Sequence, residues 1–95
     1  MDKILRIREE DLNLFSMDGG GSPILYYQGK PFTGFCLTYE EEGWLSGEEE
    51  YVNGYQEGWV RDYYKNGQLE SEYKMSNNKL VPNTSRDFNE DGTLK

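Results

Sequence analysis

The side chains that could do chemistry in this chain are carboxylates. Eighteen Asp and Glu stand against ten Lys and Arg, with no His, for a net charge of −8. They cluster as Glu40-Glu41-Glu42, Glu48-Glu49-Glu50, and Glu70 with Glu72. Paired carboxylates act as general acid and base only where burial or a neighbouring charge drives their pKa values apart. Glutamates on a solvated strand have no such cause. The missing His removes the commonest general base and metal ligand, and excludes Cys-His and Ser-His-Asp arrangements. Asp87-Phe88-Asn89-Glu90-Asp91-Gly92 matches the first six positions of a calcium loop. That loop also needs flanking helices and a bidentate Glu at its twelfth position, so a hairpin turn at Asp91-Gly92 is the expectation instead. Gly19-Gly20-Gly21 lacks the Lys-Ser/Thr pair of a phosphate loop, and Gly29-Lys30 runs into Pro31. The expectation is a non-enzyme with no cofactor and no metal.

Carboxylates on a small acidic protein can still bind. Opposed fields accelerate encounter with a basic protein, whereas nucleic acid and anionic membrane would be repelled. The candidate partner-binding residues are Glu40, Trp44, Glu48, Glu50, Glu70 and Glu72. The alternative is a solvated outer face that keeps an edge-rich sheet soluble.

The elements that must position these residues are written twice. Gly34, Phe35, Tyr39, Gly43, Leu45 and Glu48 fall on Gly58, Trp59, Tyr63, Gly67, Leu69 and Glu72, 24 positions later. Tyr27 to Thr33 matches Tyr51 to Glu57 in the same way, and Phe88, Gly92 and Leu94 form a weaker third copy at a spacing of 25. A fixed period of this size signals a tandem supersecondary unit. Each unit reads as a β-hairpin, because Asn-Gly between aromatic and β-branched runs places φ > 0 where glycine bears it without cost. A three-residue loop with Gly67 in the left-handed position pairs Tyr63 with Leu69, and continued alternation pairs Trp59 with Tyr73. Trp59, Tyr63, Leu69, Tyr73 and Met75 would then share one face, opposite Asp62, Gln68, Glu70, Glu72 and Lys74. In the first copy Phe35, Leu37, Tyr39, Leu45 and Tyr51 would oppose Thr38, Glu40, Ser46, Glu48 and Glu50. Arg61 and Glu49 fall on the apolar side and Trp44 on the charged one. Either they snorkel at a sheet edge, or Trp44 is an exposed anchor for a partner.

The 95 residues make one domain with 35% hydrophobic and 15% aromatic content, hence a thin, aromatic core. Residues 1–26 read as an N-terminal cap, 27–50 and 51–75 as repeats, and 76–95 as a degenerate third repeat. Within the cap, Ile4 to Arg8 and Ile24 to Tyr27 alternate like strands, Glu9 to Phe15 suggests a short helical turn, and Asp18 to Pro23 a loop. Cys36 sits mid-strand as a small buried residue. One cysteine forms no internal disulfide, and no apolar stretch suits a signal peptide or membrane span, so a cytoplasmic location is expected.

Tyr27-Gln28-Gly29-Lys30-Pro31-Phe32-Thr33-Gly34, Tyr51-Val52-Asn53-Gly54 and the run from Tyr63 to Glu72 resemble the bacterial variant of the MORN repeat, found in YwqK-type antitoxins. The likeness covers about residues 24 to 75. It implies an all-β fold, a meander of β-hairpins forming an elongated, twisted antiparallel sheet. It also implies a cytosolic immunity or antitoxin protein that binds and neutralises a cognate toxin, often a nuclease or deaminase. The last unit departs from the pattern: Pro82 and Asn83 replace its glycine and aromatic, and Asn78 replaces the turn glycine Gly54. A non-catalytic scaffolding module is the second functional expectation, and a lipid-binding or enzymatic role is opposed by the charge and the missing His.

Overall fold

The computed structural model describes residues 4–17 and 23–95, with backbone alone for 14–17. The expected loop at residues 18–22, including Gly19 to Gly21, lies outside the described residues. The fold is all-β. In chain order the strands are β1 (Arg6–Arg8), β2 (Asn13–Met17), β3 (Pro23–Tyr27), β4 (Lys30–Pro31), β5 (Gly34–Tyr39), β6 (Leu45–Val52), β7 (Tyr55–Tyr63), β8 (Leu69–Ser76), β9 (Lys79–Leu80) and β10 (Arg86–Asp87). A 3₁₀ turn, Glu9–Asp11, follows β1, but the helical turn expected over Glu9 to Phe15 goes no further, because Asn13–Met17 pairs with Pro23–Tyr27 as a strand.

The main sheet has the order β1-β5-β6-β7-β8-β10, with β9 paired to β8, and a smaller sheet contains β2-β3-β4. The antiparallel hairpin meander is thus present, in a body of 40 × 31 × 29 Å. One pair departs from it. β1 runs parallel to β5, because the chain builds the whole second sheet before it returns beside β1, and a parallel pair needs such a crossover.

At one end of the main sheet the same three-residue loop occurs three times. Gly43, Gly67 and Gly92 take φ +98°, +90° and +90°. Their N–H groups donate to Glu40 O, Tyr64 O and Asn89 O at 2.8, 2.9 and 2.9 Å. The closing bonds Glu40 N to Trp44 O, Tyr64 N to Gln68 O and Asn89 N to Thr93 O measure 3.0, 2.8 and 2.8 Å. The calcium-like stretch is therefore the third copy of this loop. At the opposite end Gln28-Gly29, Asn53-Gly54 and Asn77-Asn78 all have positive φ at both residues, which defines a type I′ turn and matches the strand twist.

The units are stitched at the repeat period. Gly54 N donates to Phe32 O at 2.8 Å, and 24 residues on Asn78 N donates to Gln56 O at 3.0 Å. Beside them Asn53 N donates to Thr33 Oγ1 at 2.9 Å and Asn77 N to Glu57 Oε2 at 2.7 Å. The smaller sheet joins at this end through Leu25 N to Gly54 O, 3.0 Å, and Asn78 Nδ2 to Pro23 O, 2.8 Å. Phe32, only 1% exposed, fills the junction, edge-on to Tyr27 at 6.0 Å and 6.1 Å from Tyr51. Burying one such ring contributes about 1.5–3 kcal/mol. Cys36, Leu37 and Val60 complete a core as thin as the composition implies.

The expected segregation of faces fails. Tyr39 pairs with Leu45 and Tyr63 with Leu69, but Thr38 then pairs with Gly47 and Asp62 with Ser71. Ser46 and Glu70 are extra residues in β-bulges, and each bulge inverts the alternation that follows it. Trp59 therefore faces Lys74, and Tyr73 faces Val60. In the first copy Tyr51 moves to the side of Cys36 and Glu49, while Glu48 and Glu50 join Leu37 and Phe35. One surface, the Trp59 face, now carries aromatic and charged side chains together.

Candidate functional site

Across the Trp59 face runs a row of directly paired residues: Arg86 opposite Glu72, Glu72 opposite Arg61, Arg61 opposite Glu48, Glu48 opposite Leu37, and Leu37 opposite Arg8. Opposite charges face one another at each of the first three steps, the arrangement that favours cross-strand pairing. Arg61 Nε reaches Glu72 Oε2 at 3.0 Å, and Arg6 Nη2 reaches Glu48 Oε2 at 3.1 Å. Both glutamate side chains are only 11% exposed. A carboxylate held this far from water needs compensation. Glu48 gains a further donor from the Tyr63 hydroxyl at 2.6 Å. Burial, and then the bond to Glu48, push the Tyr63 hydroxyl up to about 12.

The six candidate binding residues accordingly separate. Glu48 and Glu72 are internal members of the charge row. Glu50 turns its carboxylate onto Gly58, where Oε1 accepts the Trp59 N–H at 3.3 Å. In the preceding unit the equivalent donor, Phe35 N, is met by Leu5 O at 2.8 Å, so Glu50 does with a side chain what the N-terminal cap does with backbone. Glu40 and Glu70 stay exposed beside the loops, Glu40 accepting Ser46 Oγ at 2.9 Å. Trp44 closes the first loop with its ring half-buried and its Nε1 enclosed without an acceptor. It is not the freely exposed anchor beside Glu48 and Glu50 that alternation predicted.

Sequence reasoning missed the cations that share this face. Arg6 lies over Phe35 at 5.6 Å, Arg8 over Tyr39 at 4.3 Å, and Arg61 and Lys74 flank Trp59 at 5.1 and 5.3 Å. With Arg86 that is five of the ten basic residues, against the carboxylates Glu48, Glu50 and Glu72. Glu57 lines a groove with Glu50 and Lys74, and Glu10 lies 3.8 Å from Arg8, so the face carries both signs of charge in balance. A signal was available: the bulged register places Glu48 and Glu72 opposite Arg61, while uninterrupted alternation places Ser71 there.

Exposed carboxylates also gather at the loop end. Glu40, Glu41 and Glu42 of the first loop and Glu90 of the third are exposed, and the second loop supplies one cation, Lys65, paired with Glu42. Asn66 Nδ2 donates to Glu90 O at 2.9 Å, and Tyr64 donates to Phe88 O at 2.6 Å. The three loops thus form one tip.

On the opposite face Glu49 accepts from the Tyr51 hydroxyl at 3.1 Å and from Gln56 Nε2 at 2.8 Å. Burial, then Glu49 and Glu9, push the buried Cys36 thiol up to about 12, so it is a poor nucleophile at neutral pH. Among the described residues no group of three or more His, Cys, Asp or Glu could hold a metal ion, and no helix is long and apolar enough to cross a membrane. No family model matches the chain, and no curated protein or solved structure is similar enough to match it.

Proposed function

We propose that this chain is a non-catalytic binding protein of the immunity or antitoxin kind, acting in the cytoplasm to neutralise a basic toxin by covering it. The observation that carries the reading is the exposed carboxylate tip, formed by Glu40, Glu41, Glu42 and Glu90 with Glu70 close by and Lys65 as its one paired cation. Carboxylates displayed this way steer a cationic partner and set its approach. The resemblance to the MORN-variant antitoxins supplies the class of partner, a nuclease or deaminase with a basic substrate groove. Glu48, Glu50 and Glu72 serve the sheet rather than the partner, so docking centres on the loops.

The test is binding of the purified chain to the basic protein encoded beside its gene, read by stopped flow and calorimetry. Reversal of Glu41 and Glu90 to Lys is expected to lower the association rate about tenfold at low salt and to flatten its salt dependence. Unchanged rates, or no binding to any basic neighbour, would remove the reading. A scaffolding role is the second reading. It is favoured by the difference between the Trp59 face, where cations and carboxylates alternate beside aromatic rings, and the carboxylate tip, since two unlike surfaces suit a bridge between two partners.

A further inference from the structure

At the end of the sheet away from the tip, two hollows share Glu50 and Val52 as a common wall. One, of about 210 Å³, opens among Ile4, Leu5 and Phe35. The other, of about 400 Å³, opens among Glu57, Lys74, Met75 and Val81. Together they form a trough that crosses the sheet from Leu5 beside β5 to Val81 beside β8. Five steps between neighbouring rows, about 4.8 Å each, make it about 24 Å long, the span of about seven extended residues. Ile4, Leu5 and Val52 are three of the five large apolar residues exposed among the described residues. Exposed apolar side chains gathered in this way mark an interaction surface.

The charges that line the trough are Glu50, Glu57 and Lys74, and none forms an ion pair among the described residues. Glu50 Oε1 accepts the Trp59 N–H and Glu57 Oε2 the Asn77 N–H, so each carboxylate keeps a second oxygen for a ligand. Lys74 lies over Trp59, and Arg6, over Phe35, is already committed to Glu48. Two carboxylates thus stand against one ammonium. The chain itself shows what this surface takes. Leu5 packs against Gly34 and its carbonyl accepts the Phe35 N–H, while the next residue, Arg6, covers Phe35. One repeat on, Gly58 and Trp59 offer the same glycine and aromatic pair, and only the Glu50 side chain stands close over Gly58.

We infer that the trough is a docking groove for an extended segment of a partner protein. Its apolar side chains lie against Val52, Met75 and Val81, and one lysine or arginine enters between Glu50 and Glu57. An acidic segment would meet two carboxylates for one ammonium. An uncharged one would cover both carboxylates without supplying a cation, which is unfavourable.

The test is fluorescence anisotropy of labelled heptapeptides, acetylated and amidated, with Leu and Val at the flanking positions and Arg, Gln or Glu at the centre. Arg-centred peptides are expected to bind the purified chain with a dissociation constant below about 1 mM, and a Gln centre to weaken them about tenfold. A Glu centre should weaken them further. Glu57→Gln keeps an acceptor for Asn77 N–H but removes a charge, so it should narrow the preference for Arg over Gln. Val52→Ser, at an exposed site, should weaken every peptide alike, with unchanged circular dichroism. The peptide assay contains no toxin and the toxin assay no peptide, so the two proposals fail separately. Absence of binding up to about 1 mM, equal or better binding of Glu-centred peptides, or affinities that neither substitution alters would overturn the inference.

Discussion

Replacing Gly58 with Ala tests how one unit is joined to the next. Gly58 holds φ +109°, and an added Cβ would overlap Glu50 Oε1 and lie 2.6 Å from Glu50 Cδ. Two costs follow. A side chain at this backbone angle costs about 1–2 kcal/mol. The displaced carboxylate also gives up the Trp59 N–H, and a charge-assisted bond as long as 3.3 Å sits near the lower end of its range, about 1.5 kcal/mol. Gly58→Ala should therefore destabilise by about 2.5–3.5 kcal/mol, since the glutamate can swing into water and relieve the overlap itself. Gly67→Ala is the control. It holds φ +90° with nothing within 4 Å of an added Cβ, and should lose only the backbone share, about 1–2 kcal/mol. Glu50→Ala removes the same Trp59 bond, so it should cost about 1.5 kcal/mol alone and almost nothing once Gly58→Ala is present. Urea unfolding followed by tryptophan fluorescence and circular dichroism gives all four corners of the cycle. If Gly58→Ala cost no more than Gly67→Ala, or the two substitutions simply added, the carboxylate would not be the plug of this junction.

Three further outcomes follow from the same geometry. Asn78→Gly should lower the urea midpoint although Gly suits a type I′ turn. It loses the Asn78 Oδ1 bond from Gln56 N at 2.6 Å and the Nδ2 bond to Pro23 O at 2.8 Å, a net loss of about 1 kcal/mol after the relief of φ +66°. Arg61→Ala should cost about 1–3 kcal/mol because it strips the mostly buried Glu72 of its cation, while Lys65→Ala at the exposed Glu42 pair should cost about 0–0.5 kcal/mol by the same unfolding measurement. Burial chiefly raises the Tyr63 hydroxyl from 10 to about 12, and Tyr51 and Tyr73 move in the same direction. The unfolded chain then sheds these protons first, so stability should hold up to pH 10, fall between pH 10 and 12, and fall less steeply in Tyr63→Phe, as read by tyrosinate absorbance against circular dichroism.

The loops were legible in the sequence because their chemistry is stereotyped. Gly43, Gly67 and Gly92 answer a demand for positive φ that few residues meet, and the repeat places that demand at a constant offset. The turn at Asn77-Asn78 reads as degenerate beside Asn53-Gly54, yet asparagine also reaches positive φ, and its amide links Gln56 to Pro23. The bulges at Ser46 and Glu70 were not legible from alternation, because an extra strand residue imposes no side-chain requirement of its own. Their effect was large: Glu48, Glu50 and Glu72 moved from an assumed outer face into the sheet's own bonding. β1 was seen as a strand but not as a parallel partner of β5, since direction is set by the path of the chain through β2, β3 and β4 and not by the alternation of Ile4 to Arg8.

The same bulges decide how the net charge bears on binding. A total of −8 argues against anionic partners only if every surface sees the whole protein. In salt the reach of a charge is about 8–10 Å. The long strands of six to nine residues extend about 20–30 Å, so a partner at the far end of the Trp59 face is insulated from the loop tip. What such a partner meets is the local set, Lys74 beside Trp59, with Arg61 held by Glu72 and with Glu50 and Glu57 in the adjoining groove. Taking Glu70 into regular pairing instead of a bulge would invert the alternation along β8 and set Tyr73 rather than Lys74 opposite Trp59. The position of a single unremarkable residue in each hairpin, rather than the composition of the chain, thus determines which sign of charge each surface offers.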